Sequence, residues 1–127
     1  MRFLINIMDA SPAWRQVIIF DACFRLTQGI APDEPEILME EWFNEMMGDR
    51  RVILTASTYT QHEPEPESLD AWSYTRYIAE GAATGAADTD FDGSLTVKEL
   101  HFYAQRKLRI AAPSQRPQFY GSEATAN

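Results

Sequence analysis

The chain has 127 residues, 45% apolar and 12% aromatic, with a formal charge of −8; this suits one domain with one modest core and is too apolar for a disordered segment. The acid excess speaks against nucleic acid or an anionic membrane as partner, since either requires a basic face, and no apolar run reaches the ~20 residues of a membrane span. A single cysteine leaves no internal disulfide and suits a reducing, cytoplasmic setting.

In chain order, Leu4 to Ala10 reads as the end of a helix stopped by Ser11-Pro12. Asn6 and Asp9 interrupt its apolar patch and no small-residue cleavage site follows, so a signal peptide is not expected. Gln16-Val-Ile-Ile-Phe20 is a short β-branched run, the pattern of a strand covered on both faces. Asp21-Ala-Cys-Phe24 follows at its carboxyl end, where open α/β sheets place their functional residues. A loop containing Gly29, Pro32 and Pro35 leads to a helix over Glu36–Met47, mostly apolar on one side, which Gly48 ends. Val52-Ile-Leu-Thr-Ala56 is a second strand, and His62-Glu-Pro-Glu-Pro-Glu67 an extended, solvated loop. Ser68 can cap a helix from about Leu69 to Ala79, and Gly81 and Gly85 weaken its continuation. The last helix, Val97 to about Arg109, stacks Val97, Leu100, Tyr103, Ala104 and Leu108 on one face. Pro113, Pro117 and Gln118-Phe-Tyr-Gly121 lead to a short edge strand, and residues 122–127 to a frayed tail.

The strongest motif lies between the last two helices. In Asp88-Thr-Asp-Phe-Asp-Gly-Ser-Leu-Thr-Val-Lys-Glu99, Asp88, Asp90 and Asp92 occupy positions 1, 3 and 5 of a calcium loop. Gly93 takes position 6, where the chain turns sharply, and Glu99 takes position 12, where a bidentate carboxylate closes the coordination sphere. Ser94 offers a backbone carbonyl at position 7, and Thr96 acts at position 9 directly or through water. Leu95 is expected to point inward and anchor the loop. The competing reading is an acidic, solvated turn with a Thr96/Glu99 capping box; it leaves the three aspartates and Gly93 unexplained. Carboxylates converging at about 4–5 Å repel by several kcal/mol at an effective dielectric of about 20, so the compact loop calls for a cation. Oxygen-only ligands on a flexible backbone favour Ca²⁺ over Mg²⁺. The small residues of Gly81–Ala87 and the absence of a second loop point to one structural or weakly tuned site rather than a sensor.

By composition Cys23 is a small buried hydrophobe, but its setting carries a resemblance. Val17-Ile-Ile-Phe-Asp-Ala-Cys-Phe24 resembles the nucleophile strand of caspase-like cysteine peptidases, the metacaspase and bacterial orthocaspase group. Ser11–Gln16 is similar to that family's approach to the strand, Val52–Ser57 to its following strand, Ala71–Tyr77 to its next helix, Ala87–Gly93 to an Asp-rich segment of bacterial members, and Pro113–Gly121 to its closing segment. The resemblance implies that Cys23 is a thiolate nucleophile forming an acyl-enzyme on a peptide or protein substrate, with a histidine protonating the leaving amine. It also implies that Asp21 lines a pocket for a basic side chain, giving cleavage after Arg or Lys. The other reading of Asp21 is a strand-end residue bonded to nearby backbone amides.

Two departures accompany the resemblance. Phe24-Arg25-Leu26 stands where the family has a residue followed by Ser-Gly, and the family's histidine lies roughly 50 residues before the cysteine, whereas 22 residues precede Cys23. His62 reads as a solvent-exposed loop residue and His101 as a surface or packing residue. The base is therefore expected from another chain or an upstream segment; a split enzyme, a truncated reading frame and a degenerate relative all fit. The expected fold is α/β, a partial caspase-like three-layer sandwich spanning 1–121. It has a short, mainly parallel sheet (nucleophile strand 16–23, second strand 52–56) with flanking helices, and a helix–calcium loop–helix segment at about 78–109. Two functions follow: the nucleophile-bearing part of a caspase-like endopeptidase with structural or regulatory Ca²⁺, or a non-catalytic calcium-binding module.

Overall fold

Successive side chains of a strand point to opposite faces, and in this chain both faces of one strand are apolar. The computed structural model describes residues 2–21, 44–56, 74–113 and 115–121. It places the strand Arg51–Thr55 (β2) at the centre of a three-stranded sheet, between Gln16–Phe20 (β1) and Gln118–Tyr120 (β3). β1 pairs with β2 in parallel, Gln16 opposite Arg51 through Phe20 opposite Thr55. β3 pairs with β2 antiparallel, Ile53 opposite Tyr120, which makes it the expected short edge strand. The chain is a mixed α/β fold.

Every residue of β2 is buried, and the alternation sorts its side chains into two cores. Val52 and Leu54 pack with Tyr74, Ile78, Ala104 and Leu108 from two helices, Tyr74–Thr84 (α2) and Val97–Ala111 (α3). Ile53 packs on the other face with Ile5 of the helix Arg2–Ala10 (α1), Ile18 of β1 and Met46 of the helical turn at 44–46. Helices therefore cover both sides of the sheet. Among the described residues no helix is long and apolar enough to cross a membrane.

β1 departs from expectation. Ile18 is buried, but Val17 and Ile19 are 44% and 39% exposed. They lie beside Val52 and Leu54 in the register, and α2 and α3 centre on β2 and on Phe119 of β3, so this side of the edge strand is only half covered. The strand's carboxyl continuation, Cys23 included, lies outside the described residues, as do most of the expected helix at 36–47, the loop at 62–67 with His62, the Ser68 cap and the tail at 122–127.

The continuation of α2 is the second departure. The helix passes through Gly81 to Thr84, because Gly81 is where α3 approaches. A Cβ there would lie 2.8 Å from Tyr103 Cδ1 and 3.1 Å from the Ala87 Cβ. Tyr103 then reaches over to donate a 2.6 Å hydrogen bond to Glu80 Oε1, and Lys107 pairs with the same oxygen at 2.9 Å. Alanine would gain about 1 kcal/mol of helix propensity and incur overpacking of about 1–3 kcal/mol. Gly81→Ala is expected to destabilise the fold by ~1 kcal/mol net, read as a lower urea midpoint at unchanged m-value. A raised midpoint would show that the helix pair has slack at this contact.

Candidate metal centre

The loop between α2 and α3 starts from a fixed point. Ala87 is fully buried, and the Asp88 amide donates to the Gly85 carbonyl at 3.1 Å. From there the carboxylates curl the chain around themselves. Asp88 Oδ2 accepts from the Gly93 amide at 3.0 Å, Asp90 Oδ1 from the Asp92 amide at 3.2 Å, and Asp92 Oδ1 from the Ser94 amide at 2.7 Å. Within residues 88–99 two residues take left-handed backbone angles, Phe91 at φ 60° and Gly93 at φ 81°. The second is the sharp turn read from Gly93; the first is held by a non-glycine residue at a cost of roughly 1–2 kcal/mol.

Glu99 closes the loop from α3. Thr96 is the N-cap of that helix, its side chain accepting from the Glu99 amide at 3.1 Å, and Glu99 Oε2 accepts in return from the Thr96 amide at 3.0 Å. This is the capping box read from Thr-x-x-Glu. The other oxygen, Oε1, accepts from both the amide and the hydroxyl of Thr89, at 2.9 and 3.0 Å. One carboxylate thus ties the first turn of the loop to the first turn of α3. Thr89 was not legible as a partner, because no spacing rule marks a threonine ten residues before a glutamate.

These donors, first the backbone amides of Thr96 and Thr89 and then their hydroxyls, hold the Glu99 carboxyl down to about 2, below its ordinary 4.5. A carboxyl lowered on folding stabilises the folded form above pH ~4.5 and loses that contribution as the pH falls toward about 2. The start of α3 is therefore expected to loosen over that interval, seen as faster amide exchange at Leu100 in step with the Glu99 carboxyl resonance. A Glu99 titration midpoint at its ordinary value would contradict it.

The structure brings together part of the expected ligand set. One carboxylate oxygen each from Asp88, Asp90 and Glu99 lies within 4.8 Å of the others. Asp88 Oδ1 is shielded from solvent and has no hydrogen-bond partner. Such an atom in a carboxylate is costly unless something positive meets it. The donor set is all oxygen, which fits a hard divalent cation. Asp92 is not in the convergent group, and Thr96 engages Glu99 through its hydroxyl. Leu95 differs from expectation: it is 37% exposed. The apolar face of α3 that packs on the core begins at Val97, so Leu95 stays at the rim and the anchor at the loop is Ala87.

Asp21 follows β1 directly. Its Oδ2 accepts from the Thr75 amide in the first turn of α2 at 3.0 Å, and its Oδ1 is shielded without a partner. The amide contact is the strand-end arrangement read as one of its two alternatives. Tyr74 beside it is fully buried, and its phenol is pushed well above the usual range by burial and then by the Asp21 charge. The phenol shares a 2.7 Å hydrogen bond with His101 Nδ1. Burial pushes His101 down to about 4, so the ring is neutral near pH 7 and packs edge-on against Tyr74, Phe102 and Phe119. His101 is thus a packing residue, one of the two alternatives read for it. The chain matches no family model, no curated protein and no solved structure.

Proposed function

We propose that this chain binds one Ca²⁺ ion in the loop 88–99, and that it is the nucleophile-bearing part of a caspase-like cysteine endopeptidase cleaving after basic residues. Two observations carry the metal reading: one carboxylate oxygen each of Asp88, Asp90 and Glu99 converges within 4.8 Å, and Asp88 Oδ1 is shielded and unpartnered. Asp88, Asp90 and Glu99 would hold the ion, with Asp92, the Ser94 carbonyl and Thr96 completing the shell. The ion would cancel the mutual repulsion of the acids and fix the start of α3.

The peptidase reading rests on the resemblance around Asp21 and Cys23. Cys23 would attack the carbonyl and Asp21 would face a basic side chain, with the base supplied by another chain or an upstream segment. A helix-flanked sheet with Asp21 at the carboxyl end of β1 supports this assignment. The alternative, a calcium-binding module without chemistry, is favoured by His101, one of the chain's two histidines, being buried and bonded to Tyr74 through Nδ1.

Calorimetric titration with Ca²⁺ tests the metal reading. Wild type is expected to bind one ion, and Glu99→Gln to lose at least tenfold in affinity, since glutamine keeps the shape and removes the charge and the bidentate grip. Equal heats from the two proteins would remove it. A peptidase assay with Arg- and Lys-terminated reporter peptides, with and without Ca²⁺, on wild type and Cys23→Ala in the longer natural form or complex that supplies the base, separates the two functions; equal rates in both favour the module.

A further inference from the structure

Three hydrogen-bonded contacts, joined by short steps along two helices, form a path from the acidic loop to the sheet. Glu99, the third residue of α3, closes the loop through Thr89. His101, two residues on, faces the opposite way and bonds the Tyr74 hydroxyl. Tyr74 is the first residue of α2, and the next residue, Thr75, gives its amide to Asp21 Oδ2. Asp21 is the residue that leaves β1 toward Cys23.

We infer that Ca²⁺ binding at the loop and the seating of Asp21 at the carboxyl end of β1 are energetically coupled, with the Tyr74–His101 hydrogen bond as the joint. The inference rests on the calcium reading above and adds to it a role for the ion beyond the loop. A helix is stiff over two residues, so fixing Glu99 also fixes the direction of His101. A buried imidazole nitrogen and a buried phenol have no alternative partner in water, so they move together rather than part. The first turn of α2 therefore follows α3, and it carries the amide that holds Asp21. The other end of the helix pair is tied separately, by Glu80 with Tyr103 and Lys107, so the pair has one clamp near the sheet end and another near Gly81. Asp21, held at 3.0 Å by the amide of the residue next to Tyr74, stands beside the joint, and its charge adds to burial in pushing the Tyr74 phenol up. Coupling is reciprocal: whatever Ca²⁺ does for Asp21, a change at Asp21 must do to the affinity for Ca²⁺.

The test uses the full chain, labelled with nitrogen-15 and titrated with CaCl₂. The amides of Gly93, in the loop, and Thr75, at the joint, are expected to shift with the same midpoint. In Tyr74→Phe the Gly93 shift should persist while that of Thr75 falls to less than half. Because Tyr74→Phe leaves a buried nitrogen unpaired and threatens the fold, Asp21→Ala provides a second arm. It removes a carboxylate oxygen that already lacks a partner, and it is expected to weaken Ca²⁺ binding about fivefold or more by calorimetry. If Gly93 shifts and heat is released but Thr75 stays still, keeps its full shift in Tyr74→Phe, or the affinity of Asp21→Ala is unchanged, the coupling is overturned and the calcium site stands. If neither heat nor a Gly93 shift is seen, both are overturned.

Discussion

Calcium at a hundredfold excess over its dissociation constant is expected to raise the melting temperature of this chain by about 10 °C. An ion that binds only the folded form adds RT ln(1 + [L]/Kd), about 2.7 kcal/mol at that excess. Unfolding entropy near 2.1 cal/mol/K per residue gives roughly 0.27 kcal/mol/K for 127 residues, and the quotient is the expected shift. The effect has a local origin: Asp88, Asp90 and Glu99 present oxygens within 4.8 Å of one another, and without a cation the folded loop must hold them against their repulsion. Scanning calorimetry with and without CaCl₂ measures it. Glu99→Gln should lose most of the shift, and MgCl₂ should give a smaller one, because Mg²⁺ demands tighter octahedral geometry. A melting temperature indifferent to calcium, where calorimetry shows saturation, would mean that the ion binds unfolded chain equally well.

Arg51→Met is expected to destabilise the fold by about 2–4 kcal/mol. Arg51 is buried at the start of β2 and ties three elements together. Its Nε donates to Gln16 Oε1 at 2.7 Å, its Nη1 to the Met46 carbonyl at 3.3 Å, and its Nη2 pairs with Asp9 of α1. Gln16 in turn donates to the Met8 carbonyl at 2.6 Å. Methionine keeps the stem's packing and leaves Gln16 and the Met46 carbonyl without a donor, each loss costing about 1–3 kcal/mol before relaxation. Asp9→Asn should cost under about 1 kcal/mol, since Asp9 is 62% exposed and water replaces its partner. Urea midpoints falling in the order wild type, Asp9→Asn, Arg51→Met support the network; equal midpoints for the two variants would contradict it.

The sequence carried some levels of this structure more clearly than others. β1 and β2 are legible because Gln16–Phe20 and Val52–Ala56 are β-branched runs between turn residues; β2 is displaced by one residue, and β1 ends at Phe20, so Asp21 lies outside the strand that the wider range 16–23 included. The apolar face of α3 is legible from its spacing, and Tyr103, Ala104 and Leu108 are buried as expected. What failed depends on neighbours distant in the chain. Gly81 reads as a helix breaker locally and is a contact point once Tyr103 is known to cross it. Val17 and Ile19 read as buried, and their exposure follows from where α2 and α3 settle on the sheet. Tyr74 and His101 are 27 residues apart, so no local pattern could pair them. In the loop 88–99 the turn at Gly93 and the capping box of Thr96 with Glu99 were readable, whereas the grip of Thr89 on Glu99 was not.

A crystal structure grown in millimolar calcium tests the metal reading at its root. It is expected to show one ion bonded at about 2.3–2.6 Å to oxygens of Asp88, Asp90 and Glu99, with Asp88 Oδ1 among them. Density for those carboxylates turned outward to water, with no ion between residues 88 and 99, would contradict it.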